Sequence, residues 1–140
     1  MKAAILIPVL TSKDAVGADA LAMARILDEL GIETRVFCQS SSGVQRRTWP
    51  AEEMMAFAGG PEDLVIYHFS IGWPAAIEQL RKCRGFRIVK YHNITPPRFF
   101  EATQANIGRL RAWARRDCRS GDAWLRSLPG RVGLQPARIE

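Results

Sequence analysis

The 140-residue sequence has only two histidines and three cysteines, and it has no long apolar run. The cysteines, at positions 38, 83 and 118, form no C-x-x-C pair, so they predict neither a zinc site nor a disulfide framework. A reducing, cytoplasmic setting is the simplest interpretation of such cysteine usage. No apolar stretch approaches the roughly 20 residues of a membrane span. Pro8 interrupts the short apolar start, which favours a first β-strand over a signal peptide.

Two common nucleotide-binding fingerprints are also missing. Gly17 is the only glycine between residues 1 and 30, so G-x-G-x-x-G is absent. The second apolar run is followed by Gln39 rather than by the acidic residue that would bind a ribose, and there is no Walker A motif. The sequence therefore argues against an NAD-binding Rossmann domain.

The net charge of +6 is concentrated late in the chain. Residues 1–97 carry 11 basic and 10 acidic side chains, whereas residues 98–140 carry nine arginines against four acids. A basic segment of this kind suits nucleic acid or an anionic membrane surface. No aromatic RNA-binding motif accompanies it, so a solvated helix face is favoured and no nucleic-acid partner is expected.

Apolar runs alternate with helical patterns over most of the chain. Gly31 is placed to end a helix whose apolar residues between positions 23 and 30 recur at i, i+3, i+4 and i+7. Pro74 is placed to begin a second helix, a short helix is expected around Glu52–Phe57, and a longer one from Phe99. Four apolar runs are continuous, as in strands that are covered on both faces: Ala3–Val9, Thr34–Cys38, Leu64–Phe69 and Phe86–Tyr91.

This alternation predicts right-handed crossovers, and hence a parallel sheet flanked by helices in one α/β, Rossmann-like domain over residues 1–116. Residues 117–140 are rich in Arg, Gly and Pro. We expect them to form a basic, poorly ordered or loosely attached tail with no strand able to extend the sheet.

Polar residues follow the predicted strands, where open parallel sheets bind ligands. His68 and His92 each end an apolar run, Asn93 follows His92, and the turn after the first strand leads to Gly17 and Asp19. Glycine before a helix N-terminus allows close approach of a phosphate to unpaired N–H groups. We therefore expect these residues to meet at one edge of the sheet.

Each candidate also has a purely structural interpretation. Gly17 can simply serve the turn, and Asp19 can interact with the helix N-terminus. A structural role is favoured for His68, whereas His92 is equally consistent with binding a ligand. Trp73 either lines a sugar-sized cleft or anchors the start of the second helix.

Two segments carry a resemblance to a known family. "DLVIYHFSIGWP" followed by "RIVKYHNITPPRFF" resembles the N-terminal domain of family 4 glycosyltransferases, and "DAVGAD" and "ELGIETRVF" fit the same pattern. The resemblance covers about residues 1–115, and the "YHNITPP" stretch is its specific part. It implies the GT-B arrangement, in which the N-terminal domain mainly holds the acceptor, a second Rossmann-like domain holds the nucleotide-sugar, and transfer proceeds with retention.

Carried over by position, the resemblance implies site roles for four residues. His92 would be the catalytic-site histidine that faces the donor sugar, and Gly17 would lie in the loop approaching the donor phosphate. Asn93 and Thr95 would shape the cleft wall. The implied substrates are a nucleotide-sugar and a glycan or lipid-linked acceptor of polysaccharide biosynthesis, with no metal or other cofactor. The implied location is the cytoplasm, in peripheral contact with the inner face of the membrane.

The donor-binding domain of this family has no counterpart in the sequence. We therefore expect a truncated, frame-disrupted or naturally split enzyme that is inactive without a separate C-terminal half. The competing hypothesis is a non-enzymatic α/β interaction domain that docks on a partner chain or anionic surface through its basic C-terminal helix. A nucleotide-binding regulator is a third hypothesis.

Overall fold

The structure, a computed structural model, describes residues 1–92 and the strand at 132–135. The sheet pairs its strands in the order β3-β2-β1-β4-β5-β6, and every pair is parallel. This arrangement confirms the predicted α/β, Rossmann-like fold. In chain order the strands are β1 (Lys2–Thr11), β2 (Glu33–Ser42), β3 (Thr48–Trp49), β4 (Leu64–Phe69), β5 (Phe86–Tyr91) and β6 (Val132–Gln135).

Three α-helices connect the strands of the described region. They are α1 (Ala15–Glu29), α2 (Met54–Ala58), which follows a 3₁₀ turn at Ala51–Glu53, and α3 (Pro74–Lys82). All three were expected from the sequence. Gly31 follows α1 at a φ of 77°, the left-handed conformation that glycine adopts without steric cost.

The two faces of the sheet are both covered, which explains why the strands read as continuous apolar runs. On one face, α1 contributes Ala20 and Ala24 to a core that contains Ile5, Ile7 and Val36. On the other face, α2 and α3 pack their apolar side chains against alternate residues of the same strands. Fully buried members of that second core include Leu6, Phe37, Met54, Tyr67 and Leu80.

The prediction that the C-terminal tail lacks a strand able to extend the sheet is wrong for Val132–Gln135. This segment forms β6 and pairs with β5, with Arg87 opposite Val132 and Lys90 opposite Gln135. Pairing at the end of a sheet depends on backbone groups, so a four-residue strand needs no long apolar run. The expected helix from Phe99, and the rest of the tail, lie outside the described residues.

Within the described part of the chain, no helix combines the length and the hydropathy needed to cross a bilayer.

Candidate functional site

The carboxyl ends of three neighbouring strands lie beside the point where the chain reverses the direction in which it adds strands to the sheet. From β1 the chain proceeds first to β2 on one side, and later reaches β4 on the other side. Such a switch point leaves a crevice above the strand ends, which is where open α/β sheets bind ligands. The ends of β1, β4 and β5 therefore mark the expected place for a site.

Four side chains from separate elements converge at this point, and we name them the strand-end cluster: Asp19, His68, Lys90 and His92. His68 in β4 is directly opposite Lys90 in β5, so both side chains point to the face that α1 covers. His92 follows β5 and is held by its backbone N–H, which donates to the carbonyl of Phe69 at 2.9 Å. Asp19 lies in α1.

The two histidines are in direct contact. His68 Nδ1 lies 2.9 Å from His92 Nε2, and the rings meet edge to edge, with their centroids 5.1 Å apart and their planes inclined by 17°. Asp19 Oδ2 is 3.5 Å from His68 Nδ1 and 3.9 Å from His92 Nε2. The carboxylate therefore lies beside the contact between the imidazoles.

Lys90 binds the same carboxylate. Its Nζ donates to Asp19 Oδ1 at 2.8 Å and also lies 2.6 Å from Oδ2. Despite that short ion-pair distance, Oδ2 has no well-aligned hydrogen bond from any described residue. The ion pair ties α1 to β5 and leaves a lone pair of Oδ2 free toward the imidazoles.

Burial divides the cluster into an inner and an outer part. The side chain of His68 is fully buried, whereas that of His92 keeps 16% of its surface exposed. A ligand arriving above the strand ends therefore meets His92, and His68 acts only through it.

The environment holds both imidazoles neutral near pH 7. Burial, and then the neighbouring His92, lower the pKa of His68 from 6.5 to about 4, although Asp19 opposes the shift. Burial also lowers the pKa of His92, with Lys90 contributing and Asp19 opposing. One proton therefore lies between the two facing nitrogens.

The position of that proton follows from the buried end of His68. Its Nε2 is buried and has no hydrogen-bond partner among the described residues. A buried N–H without a partner is rarer than an unpaired acceptor, so we assign the proton of His68 to Nδ1, which donates to His92 Nε2. His92 then carries its proton on Nδ1, which has no hydrogen bond to any described residue and can donate to a ligand.

Gly17 is not placed as the sequence suggested. It lies inside the first turn of α1 rather than before it, and its N–H donates to the capping side chain of Asp14 at 2.6 Å. A Cβ at this position would lie 1.8 Å from the carbonyl oxygen of Thr11. Close packing of α1 on the end of β1 accounts for this glycine, and its N–H is already used.

Trp73 is only 6% exposed and immediately precedes α3 within the apolar core. It therefore anchors the start of the helix, the structural interpretation given above. Asn93 and Thr95 lie outside the described residues.

The sequence named Asp19, His68 and His92 as candidates, and the fold brings these three together, but the sequence did not indicate Lys90. The only signal for Lys90 was a lysine near the end of an otherwise apolar strand. Its partner Asp19 is 71 residues away, so the ion pair depends on tertiary structure.

The cluster offers two kinds of chemistry. His92 can hydrogen-bond a polar ligand, and three donor atoms of Asp19, His68 and His92 lie within 4.8 Å of one another, close enough to share a metal ion. No protein-family model, curated protein or solved structure matches the chain.

Proposed function

We propose that this domain is the acceptor-side half of a retaining glycosyltransferase. It would take part in transfer of a sugar from a nucleotide-sugar to a glycan or lipid-linked acceptor of cell-envelope or exopolysaccharide synthesis. Such a reaction would place it in the cytoplasm, in peripheral contact with the membrane. The resemblance of "YHNITPPRFF" to family 4 enzymes supplies the reaction class.

The observation that carries the proposal is the position of His92. It lies beside the switch point of a parallel sheet, is partly exposed, and is held from behind by a buried histidine. A partly exposed imidazole that is held in place by a hydrogen bond to a buried side chain is suited to orient a sugar hydroxyl. In an ordinary site, one such hydrogen bond contributes about 0.5–1.5 kcal/mol.

The balanced charge of the strand-end cluster supports a role in binding the acceptor rather than the nucleotide-sugar. Asp19 and Lys90 neutralise each other, and both histidines are neutral at pH 7. The cluster thus has no surplus positive charge with which to bind a diphosphate, but it can hydrogen-bond uncharged hydroxyl groups. Charge stabilisation of the leaving diphosphate would have to come from groups outside the described residues, such as those of a partner domain.

The test is side-chain ¹⁵N NMR of the two histidines during titration with free glycans, nucleotide-sugars and an undecaprenyl-type lipid-linked acceptor. We expect the His92 resonances to shift with an acceptor-class glycan, and the binding to be lost in His92→Ala. That variant should melt within a few degrees of the parent, because His92 lies at the surface of the core.

A matched control is Asp28→Asn, which removes another ion-paired carboxylate of α1, one that contacts Arg46 at 2.8 Å. It should bind glycans like the parent. If no glycan or nucleotide-sugar moves the His92 resonances at millimolar concentration, the proposal is wrong. A large drop in the melting temperature of His92→Ala would also contradict it, because His92 would then be structural.

A further inference from the structure

We propose that Asp19, His68 and His92 form a binding site for a divalent transition-metal ion, and that Zn²⁺ fits this donor set best. The site is distinct from the hydroxyl-binding role of His92, because it uses the ring nitrogen that faces inward. It also departs from the metal-free expectation carried by the glycosyltransferase resemblance.

The spacing of the three donor atoms carries the proposal. His68 Nδ1, His92 Nε2 and Asp19 Oδ2 form a triangle with sides of 2.9, 3.5 and 3.9 Å. A point about 2.0 Å from all three atoms lies within that triangle, and zinc bonds to nitrogen and oxygen have this length. Tetrahedral coordination, with donor atoms about 3.3 Å apart, needs the two nitrogens to separate by about 0.4 Å and Asp19 Oδ2 to approach His92 Nε2 by about 0.6 Å. The imidazoles must also turn so that their lone pairs meet the ion, and a fourth position is left for water.

The chemistry of the donors selects the class of ion. Two imidazole nitrogens and one carboxylate suit Zn²⁺ and its neighbours Co²⁺ and Ni²⁺, whereas Mg²⁺ and Ca²⁺ prefer oxygen donors. Each neutral imidazole has one lone pair, which in His92 is on the inward-facing Nε2 and in His68 is on the buried Nε2. When an ion binds, the proton of His68 moves from Nδ1 to Nε2, the proton of His92 stays on Nδ1, and no proton is released.

Two features of the cluster limit the affinity. The ammonium of Lys90 repels a cation, although it can remain on Oδ1 at 2.8 Å while Oδ2 binds the ion. The proton moved to His68 Nε2 finds no acceptor among the described residues, and metal-bound histidines normally have one. We therefore expect a dissociation constant on the order of micromolar rather than nanomolar.

A bound ion would have a structural role. It would join α1, β4 and the residue after β5 through bonds that replace the shared proton. His92 would keep the same tautomer with and without the ion, and its Nδ1–H would remain available to a ligand. The ion would thus stiffen the presentation of His92 without entering the reaction.

The sequence makes the test unusually direct, because His68 and His92 are its only histidines. Zn²⁺ is titrated into the metal-free chain, and the side-chain ¹⁵N signals and the heat of binding are recorded. We expect one equivalent of Zn²⁺ to shift both histidines, and Co²⁺ to give the absorption of a tetrahedral site. Asp19→Asn and His92→Ala should weaken binding by about tenfold or more.

Two further variants complete the design. Asp28→Asn, the matched carboxylate on the same helix, should bind Zn²⁺ like the parent. Lys90→Met removes the repelling ammonium and should tighten binding by about tenfold. Far-UV circular dichroism of every variant serves to check that the fold is retained.

Zinc binding that leaves both histidine signals unmoved, or that survives Asp19→Asn and His92→Ala unchanged, would place the ion elsewhere on the chain and overturn the proposal. Absence of binding at millimolar Zn²⁺, in the parent and in Lys90→Met alike, would overturn it as well.

Discussion

His68 and His92 touch each other but lie in opposite environments. The side chain of His68 is enclosed by the sheet and α1, and that of His92 is partly exposed beyond the end of β5. The buried ring acts as a support, because its hydrogen bond to His92 fixes which nitrogen of the outer ring is available. Burial of the support should make the domain sensitive to acid.

Acid should destabilise the fold through His68. Its pKa is 6.5 when exposed and about 4 in the folded chain, so between these values only the unfolded state binds the proton. The free energy of unfolding should therefore fall as the pH decreases through this range, by about 2 kcal/mol between pH 7.5 and pH 5. Urea unfolding of metal-free protein at the two pH values measures this loss.

The charged and titratable groups that face His68 are His92, Asp19 and Lys90. In His68→Gln, a neutral amide replaces the imidazole. The free energy of unfolding of this variant should therefore lose much less than about 2 kcal/mol between pH 7.5 and pH 5. An equal loss in parent and variant would show that other groups cause the acid sensitivity.

At the scale of the elements, α1 packs closely on the end of β1 because position 17 has no side chain. In Gly17→Ala, the added methyl would meet the Thr11 carbonyl, a backbone atom that cannot rotate away. We expect a loss of about 3 kcal/mol, because α1 must lift from the strand. The shift would also carry Asp19 away from Lys90 and change the His92 signals.

Gly31→Ala is the matched control for that substitution. A Cβ at position 31 meets nothing within 4 Å, and only its positive φ disfavours alanine, by roughly 1 kcal/mol. Chemical denaturation of both variants gives the comparison. Equal losses in the free energy of unfolding would mean that close contact with Thr11 is not the reason for a glycine at position 17.

The elements also show what the sequence could predict. Strands β1, β2, β4 and β5 were predicted because burial on both faces forces continuous apolar runs. Strands β3 and β6 were not, since two- and four-residue pairings depend on neighbouring backbone rather than on composition. Helix ends with Pro74 or Gly31 were readable, because those residues restrict or permit specific backbone angles.

The candidate site was predictable only in part, for a related reason. Strand-end histidines in a parallel sheet must come to one edge, so His68 and His92 could be placed together from topology alone. The Asp19–Lys90 ion pair depends on how α1 is rotated on the sheet, which no local pattern encodes. The steric demand at Gly17 likewise arises from tertiary packing, so the sequence suggested a phosphate loop instead.

For the molecule as a whole, the balanced charge of the strand-end cluster sets a limit on its chemistry. The purified 140-residue chain, kept free of metal, should release no nucleotide from nucleotide-sugars, because the strand-end cluster among the described residues then offers no net positive charge to a leaving diphosphate. Coupled nucleotide-release assays with and without a C-terminal glycosyltransferase half measure this. Transfer by the chain alone that His92→Ala abolishes would contradict the prediction.

The pairing of β6 with β5 has a consequence for solubility. Without β6, the outer backbone groups of β5 would be unpaired, and such a row is a template for strands of other molecules. Deleting residues 132–140 should therefore promote self-association, visible as higher-mass species in light scattering, whereas deleting residues 136–140 should not. Equal behaviour of the two deletions would mean that β6 does not shield β5. The four-residue strand β6 would thus prevent aggregation by covering the edge of β5, from which it is distant along the chain.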